Sequence, residues 1–176
     1  MKVLFLDIDG VLNSHEFLVN QGKAGKRFAG ASAFDRDHND FDPACVARLE
    51  RIATTVTDLS IVISSTWRRL VPLYEIRKHL NDAGAPTAQL MVFDKTPTHA
   101  DGFRGREIEE WIRTYNHSFE EQVANYVILD DDGDMLDHQK DGHFVQTSNL
   151  CGLTDSDVTR VISILDPILL QKKVVE

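Results

Sequence analysis

The chain has 176 residues, 42% apolar and 27% charged, which suits one globular domain whose core needs no disulfide or metal staple. Its formal net charge of −9 opposes an extended nucleic-acid-binding face, although Lys23, Lys26 and Arg27 form a small basic cluster suited to one nucleic-acid end. No apolar run is long enough for a bilayer, and a short apolar N-terminus running into Asp7, with two distant cysteines (Cys45 and Cys151), predicts a cytoplasmic protein with reduced thiols.

Lys2–Leu6 reads as a buried strand that ends at Asp7. Residues 13–42 lack sustained periodicity and are rich in Gly, Asn, Asp and Ala, which predicts a functional flap or small cap insert after the first strand. Beyond it, Val46, Leu49, Ile52 and Ala53 recur at helical spacing, with Asp42 placed to cap that helix and Pro43 in its first turn. Ser60–Ile63 predicts a second buried strand, followed by Ser64-Ser65-Thr66 and a helix over Pro72–Ala83 that Gly84 stops. Leu90–Phe93 predicts a third strand. After a loop with Pro97 and Gly102, a helix over Arg104–Tyr115 turns Ile108, Trp111, Ile112 and Tyr115 inward. Tyr126–Leu129 predicts a fourth strand and Phe144–Gln146 a short fifth. A final helix begins near Thr154 with Val158, Val161, Ile162 and Leu165 on its inner face.

Strands alternating with helices predict a three-layer, Rossmann-like α/β domain over residues 1–176, with a mostly parallel sheet and helices on both faces. Ligands of such sheets bind beyond the carboxyl ends of the strands. Three predicted strands end in Asp7, Ser64 and Asp130, each with groups able to hold phosphate or metal.

Asp7-Ile8-Asp9-Gly10-Val11 sets two carboxylates one residue apart. Asp7 is suited to attack phosphorus, and Asp9 to protonate the leaving oxygen and then deprotonate water. Gly10 lets the backbone turn sharply beside a substrate phosphate. Ser64 and Ser65 offer hydroxyls and amides for phosphoryl oxygens. Asp130-Asp131-Asp132-Gly133-Asp134 places four acids in five residues, a repulsion that a hard cation such as magnesium relieves. A calcium loop is excluded, because Met135 and Asp141 stand at the sixth and twelfth positions where glycine and glutamate belong. A cation for the transferring phosphoryl group is sought in Arg104, Arg106 or Lys95, with Arg68 and Arg69 as further substrate-binding candidates. His15, His38, His99, His138 and His143 form no recognisable ligand set.

These segments, in order, resemble the four motifs of the haloacid dehalogenase (HAD) superfamily: Asp7-Ile8-Asp9-Gly10-Val11, Ile61-Val62-Ile63-Ser64, a basic residue at Arg104 or Arg106, and Asp130-Asp131 with Asp134 behind. Phe5-Leu6-Asp7-Ile8-Asp9-Gly10-Val11-Leu12-Asn13, Ser64-Ser65-Thr66-Trp67-Arg68, Arg104-Gly105-Arg106-Glu107-Ile108-Glu109-Glu110-Trp111 and Leu129-Asp130-Asp131 resemble more closely the HAD domain of Swiss army knife RNA repair proteins. The resemblance implies a phosphatase of nucleic-acid ends or nucleotides, with Asp7 as nucleophile and Asp9 as general acid and base. It implies magnesium held by Asp7, the Asp9 carbonyl and Asp131, with Asp130 as ligand or behind one. Ser64 would bind the phosphoryl group and Arg104 would be the third-motif cation. Dehalogenation has no use for Asp9, and a phosphomutase generally carries a larger cap than residues 13–42 provide. The alternatives are a 5′- or 3′-nucleotidase acting on free nucleotides, a phosphoprotein phosphatase, and a non-catalytic phosphate- or partner-binding domain whose mark would be loss of Asp7 or Asp9.

Overall fold

The computed structural model describes residues 1–22 and 40–168. Five parallel strands, β1 (Lys2–Leu6), β2 (Leu59–Ile63), β3 (Val92–Lys95), β4 (Asn125–Asp130) and β5 (Phe144–Gln146), form one sheet in the order β3-β2-β1-β4-β5. The helices are α1 (His15–Asn20), α2 (Pro43–Thr55), α3 (Leu73–Asp82), α4 (Pro86–Met91), α5 (Arg104–Ser118), α6 (Asp137–Lys140) and α7 (Asp155–Leu165). A 3₁₀ turn at Thr66–Arg69 follows β2.

Alternation along the strands builds two cores. Leu4, Leu6, Ile61, Ile63, Val127 and Leu129 face α2, α3, α4 and α7, through Val46, Leu49 and Ile52, Ile76 and Leu80, Ala88, and Val158 and Val161. Val3, Phe5, Val62 and Ile128 face α5, through Ile108, Trp111 and Tyr115. Helices therefore cover both faces, four on one and chiefly α5 on the other. Their ends carry the expected chemistry: the Asp42 side chain accepts from the Ala44 amide at 2.8 Å, and Thr154 and Asp157 form a reciprocal cap on α7.

The strand after α3 is displaced from its expected place. Leu90 and Met91 are helical, Leu90 is 77% exposed, and β3 occupies Val92–Lys95. The reason lies 37 residues away. Glu50 on α2 accepts from the amides of Thr87 and Ala88, at 2.9 Å each, and so caps a helix that has no local cap. Within the expected flap, His15–Asn20 is helical with Ser14 as its cap. Residues 23–39 of that insert, including Lys23, Lys26, Arg27 and His38, lie outside the described residues.

Register brings the strand ends level. Leu6 pairs with both Ile63 and Leu129, and the ladder continues one residue further through Asp7 N–H to Leu129 O (3.0 Å) and Ser64 N–H to Leu6 O (2.8 Å). Asp7, Ser64 and Asp130 thus stand side by side. Each is two residues beyond Phe5, Val62 or Ile128, and so belongs to the α5 side of the sheet. Strand order reverses at β1, the place where open parallel sheets take their ligands.

Candidate active site

Three acids meet at this edge. Oxygens of Asp7, Asp130 and Asp131 lie within 4.8 Å of one another, although the residues come from two strands 123 positions apart. Asp7 and Asp130 are almost fully buried. Burial first, and the neighbouring Asp130 second, push the Asp7 carboxyl up to about 8 against the opposing pull of Arg104. Burial likewise raises Asp130 to about 7, with Arg104 again opposing, and shifts Asp131 upward. Two buried carboxylates this close cannot both ionise without a compensating cation.

Arg104 supplies part of it. As the first residue of α5 it reaches back over the sheet edge, with Nη1 4.0 Å from Asp7 Oδ1 and Nε 3.9 Å from Asp130 Oδ2. Neither approach is a hydrogen bond. Arg104 Nη1, Asp130 Oδ2 and Ser64 Oγ are all buried without a hydrogen-bond partner. Buried polar atoms are rarely left so, and three at one site mark a place shaped for a charged oxygen ligand and its counter-ion.

The donor set also suits a metal. It is all oxygen, and a span of up to 4.8 Å is close to the ~4.2 Å between opposite ligands of a six-coordinate magnesium. Among the described residues this is the only such group of His, Cys, Asp and Glu side chains. A hard divalent cation therefore fits the residues present.

The turn after β1 is built around Asp131. Gly10 has φ +77°, and a Cβ there would lie 2.3 Å from the Asp131 carboxylate. Its amide donates to Asn13 Oδ1 at 3.0 Å, and Thr147 Oγ1 donates to its carbonyl at 3.0 Å. Gly10 was expected beside a phosphate; with its amide engaged, it instead makes room for the acid from β4. The Asn149 side chain pulls the Asp131 carboxyl down against the upward push of burial.

Asp9 is held separately. Its Oδ1 accepts from Trp67 Nε1 at 2.8 Å and from Asn13 Nδ2 at 3.1 Å. Ser65 pulls the Asp7 carboxyl down, and its hydroxyl accepts from the Trp67 amide at 3.3 Å. One 3₁₀ turn therefore acts on both acids of the first motif. Ser64 lies level with Asp7, but its hydroxyl makes no bond to protein.

Other expected residues are not brought here. Arg106 points to solvent and its Nη1 pairs with Asp101 at 2.8 Å, because two residues along α5 carry it round the helix from Arg104. Arg68 is buried in an ion pair with Glu107, and its other N–H groups go to the carbonyls of Ser65, Thr96 and Pro97. Lys95 is exposed and donates to the Arg68 carbonyl at 3.1 Å, and Arg69 is exposed. Asp134, expected behind the acidic pair, accepts from the Arg104 amide at 3.0 Å. Asn13 and Trp67 stand in stretches that carry the family resemblance but have no role assigned from sequence, and Asn149 stands in none. A buried tryptophan and two asparagines carry no signal until their partners are known.

Residues 3–158 match the family model described as the HAD domain in Swiss Army Knife RNA repair proteins. No curated protein and no solved structure gives a significant match.

Proposed function

Because the chain belongs to the family of HAD domains found in Swiss Army Knife RNA repair proteins, we propose that it is a magnesium-dependent phosphomonoester hydrolase working through an aspartyl-phosphate on Asp7. The reading is carried by the meeting of Asp7, Asp130 and Asp131 at the sheet edge with Arg104 against two of them. Asp7, the Asp9 carbonyl and Asp131 would hold the ion, with Asp130 beside them. A bound magnesium supplies Lewis-acid stabilisation of charge on the phosphoryl oxygens. The Asp7 carboxylate attacks phosphorus, Ser64 Oγ and the Arg104 guanidinium bind the phosphoryl oxygens, and Asp9 protonates the leaving oxygen. Ser65 and the Ile8 amide favour the ionised form of the Asp7 carboxyl.

The substrate proposed is a terminal phosphate on RNA or DNA. The family description names RNA repair, and the net charge of −9 favours contact with one end over wrapping a duplex. The test is a panel of 3′-phosphate and 5′-phosphate oligonucleotides, mononucleotides and phosphopeptides with magnesium, wild type against Asp7→Asn. Turnover of oligonucleotide ends that vanishes in Asp7→Asn supports the reading. Preference for mononucleotides would move it to a nucleotidase, and turnover unchanged in the variant would remove Asp7 from the chemistry.

A further inference from the structure

Resting on that reading, we infer that Thr96 is a further phosphate-binding residue, whose buried hydroxyl joins Ser64 Oγ on one phosphoryl oxygen of the substrate.

Thr96 owes its place to strand register. Lys95, the last residue of β3, pairs with Ile63, and the ladder runs one residue further through Thr96 N–H to Ile63 O at 3.0 Å. Ser64 and Asp7 leave β2 and β1 in the same way. Thr96, Ser64, Asp7 and Asp130 therefore form one row across β3, β2, β1 and β4. Two residues before Thr96, Asp94 accepts from Trp111 Nε1 on α5 at 2.8 Å, so alternation sets Thr96 on the same side as the other three. Pro97, next in the chain, disfavours a helical backbone at Thr96 and so extends the line of the strand.

The backbone of Thr96 is fully engaged, its amide with Ile63 and its carbonyl with Arg68 Nε at 3.2 Å. Its side chain is not. Thr96 is only 3% exposed, yet its Oγ1 has no hydrogen-bond partner among the described residues. A buried hydroxyl left in that condition is a cost to the fold, one that valine of the same shape would not carry. Ser64 Oγ, on the neighbouring strand, is buried and unbonded in the same way. Adjacent strands lie about 4.8 Å apart, so one oxygen set between the two side chains can accept from both hydroxyls. Arg104 Nη1, equally without a hydrogen bond, lies 4.0 Å from Asp7 Oδ1 and offers a third donor to the same phosphoryl group. Thr96 thus extends the phosphate-binding edge by one strand, from β2 to β3.

Two variants separate the hydroxyl from the shape. Thr96→Val keeps the shape and removes the hydroxyl, whereas Thr96→Ser keeps the hydroxyl and removes a methyl. The probe is inorganic phosphate with magnesium, read by the rise in melting temperature it causes and by its inhibition of p-nitrophenyl phosphate turnover. Thr96→Val should bind phosphate about tenfold more weakly, the size expected for one hydrogen bond to a charged group. Thr96→Ser should stay close to wild type. Without phosphate, Thr96→Val should melt no lower than wild type, because it loses an unpaired buried hydroxyl and nothing else. Phosphate affinity unchanged in Thr96→Val, or lost equally in Thr96→Ser, overturns the inference. A Thr96→Val chain that melts lower without phosphate would reveal a partner inside the protein, and overturns it too. A wild type that hydrolyses no ester, beside a valine variant that still loses phosphate, removes the hydrolase reading and leaves the phosphate site standing. Ester hydrolysis in wild type with KM and phosphate affinity unmoved in Thr96→Val keeps the hydrolase and removes Thr96 from it.

Discussion

The carboxylate of Asp134 accepts a hydrogen bond from the backbone amide of Arg104 at 3.0 Å, and the Asp134 carbonyl accepts from the next amide, Gly105, at the same distance. An acid from the loop after β4 thus closes the N-terminus of α5, whose own preceding residue, Phe103, makes no side-chain cap. Gly105 permits the approach: a Cβ there would come within 2.7 Å of the Leu136 amide nitrogen and 2.6 Å of Gln139 Oε1. The residue whose guanidinium lies beside Asp7 and Asp130 is therefore anchored to the loop that follows Asp130 and supplies Asp131.

Asp134→Ala should remove the cap at a cost of about 1 kcal/mol and lower kcat by loosening Arg104. Asp134→Asn keeps an oxygen acceptor and should stay close to wild type in both respects. The concentration of magnesium giving half-maximal rate should be unchanged in either variant. A large rise in that concentration for Asp134→Asn would assign Asp134 to the metal instead.

The upward shifts of Asp7 and Asp130 make a statement about folding stability. In the unfolded chain both groups ionise near 3.8; in the folded one they hold their protons to about 8 and about 7. Between roughly pH 4 and 8 the folded state binds more protons, so the contribution of this pair to stability falls as pH rises. In EDTA, Asp130→Asn should therefore melt higher than wild type at pH 8 and about level with it at pH 4. A variant that melts below wild type at pH 8 would contradict the burial-driven shift.

Much of this site was legible in the chain because its acids sit at the ends of short buried strands. Leu6 and Leu129 pair in register, so acids one position later must arrive together, and alternation sends Asp7 and Asp130 to one side. Arg104 followed from its place at the start of α5. The contacts that hold the acids were not legible. Trp67 lies 58 residues from Asp9, Glu50 caps a helix 37 residues away, and Arg68 reads as a substrate-binding candidate until Glu107 is folded against it. Such partners are set by tertiary packing and leave no local period or spacing to read.

Gly10→Ala tests the close approach of β1's turn to Asp131. The added methyl meets the carboxylate at 2.3 Å in a backbone with φ +77°, so both sterics and conformation resist it. The expected cost is about 1–3 kcal/mol, with loss of the magnesium-induced rise in melting temperature because Asp131 must move. A rise equal to that of wild type would mean Asp131 tolerates displacement and does not hold the ion.

Arg68 provides the contrast between a residue that holds the site together and one that binds substrate. Its guanidinium joins the turn after β2, the loop after β3 and α5, by donating to Ser65 O (2.7 Å), Thr96 O (3.2 Å), Pro97 O (3.1 Å) and the Glu107 carboxylate. Glu107 in turn accepts from the His99 amide at 2.9 Å, and both side chains are almost completely buried. Arg68→Met leaves a buried carboxylate without its cation and should destabilise the fold by about 3–5 kcal/mol. Adding Glu107→Met should recover only part of this, since three carbonyls still lack the donors they had, each worth about 1 kcal/mol. Chemical denaturation measures both. Well below the melting point, KM for a terminal phosphate should stay near wild type in Arg68→Met, because the buried side chain uses four of its five N–H donors inside the protein. A KM raised severalfold with stability intact would return Arg68 to the substrate.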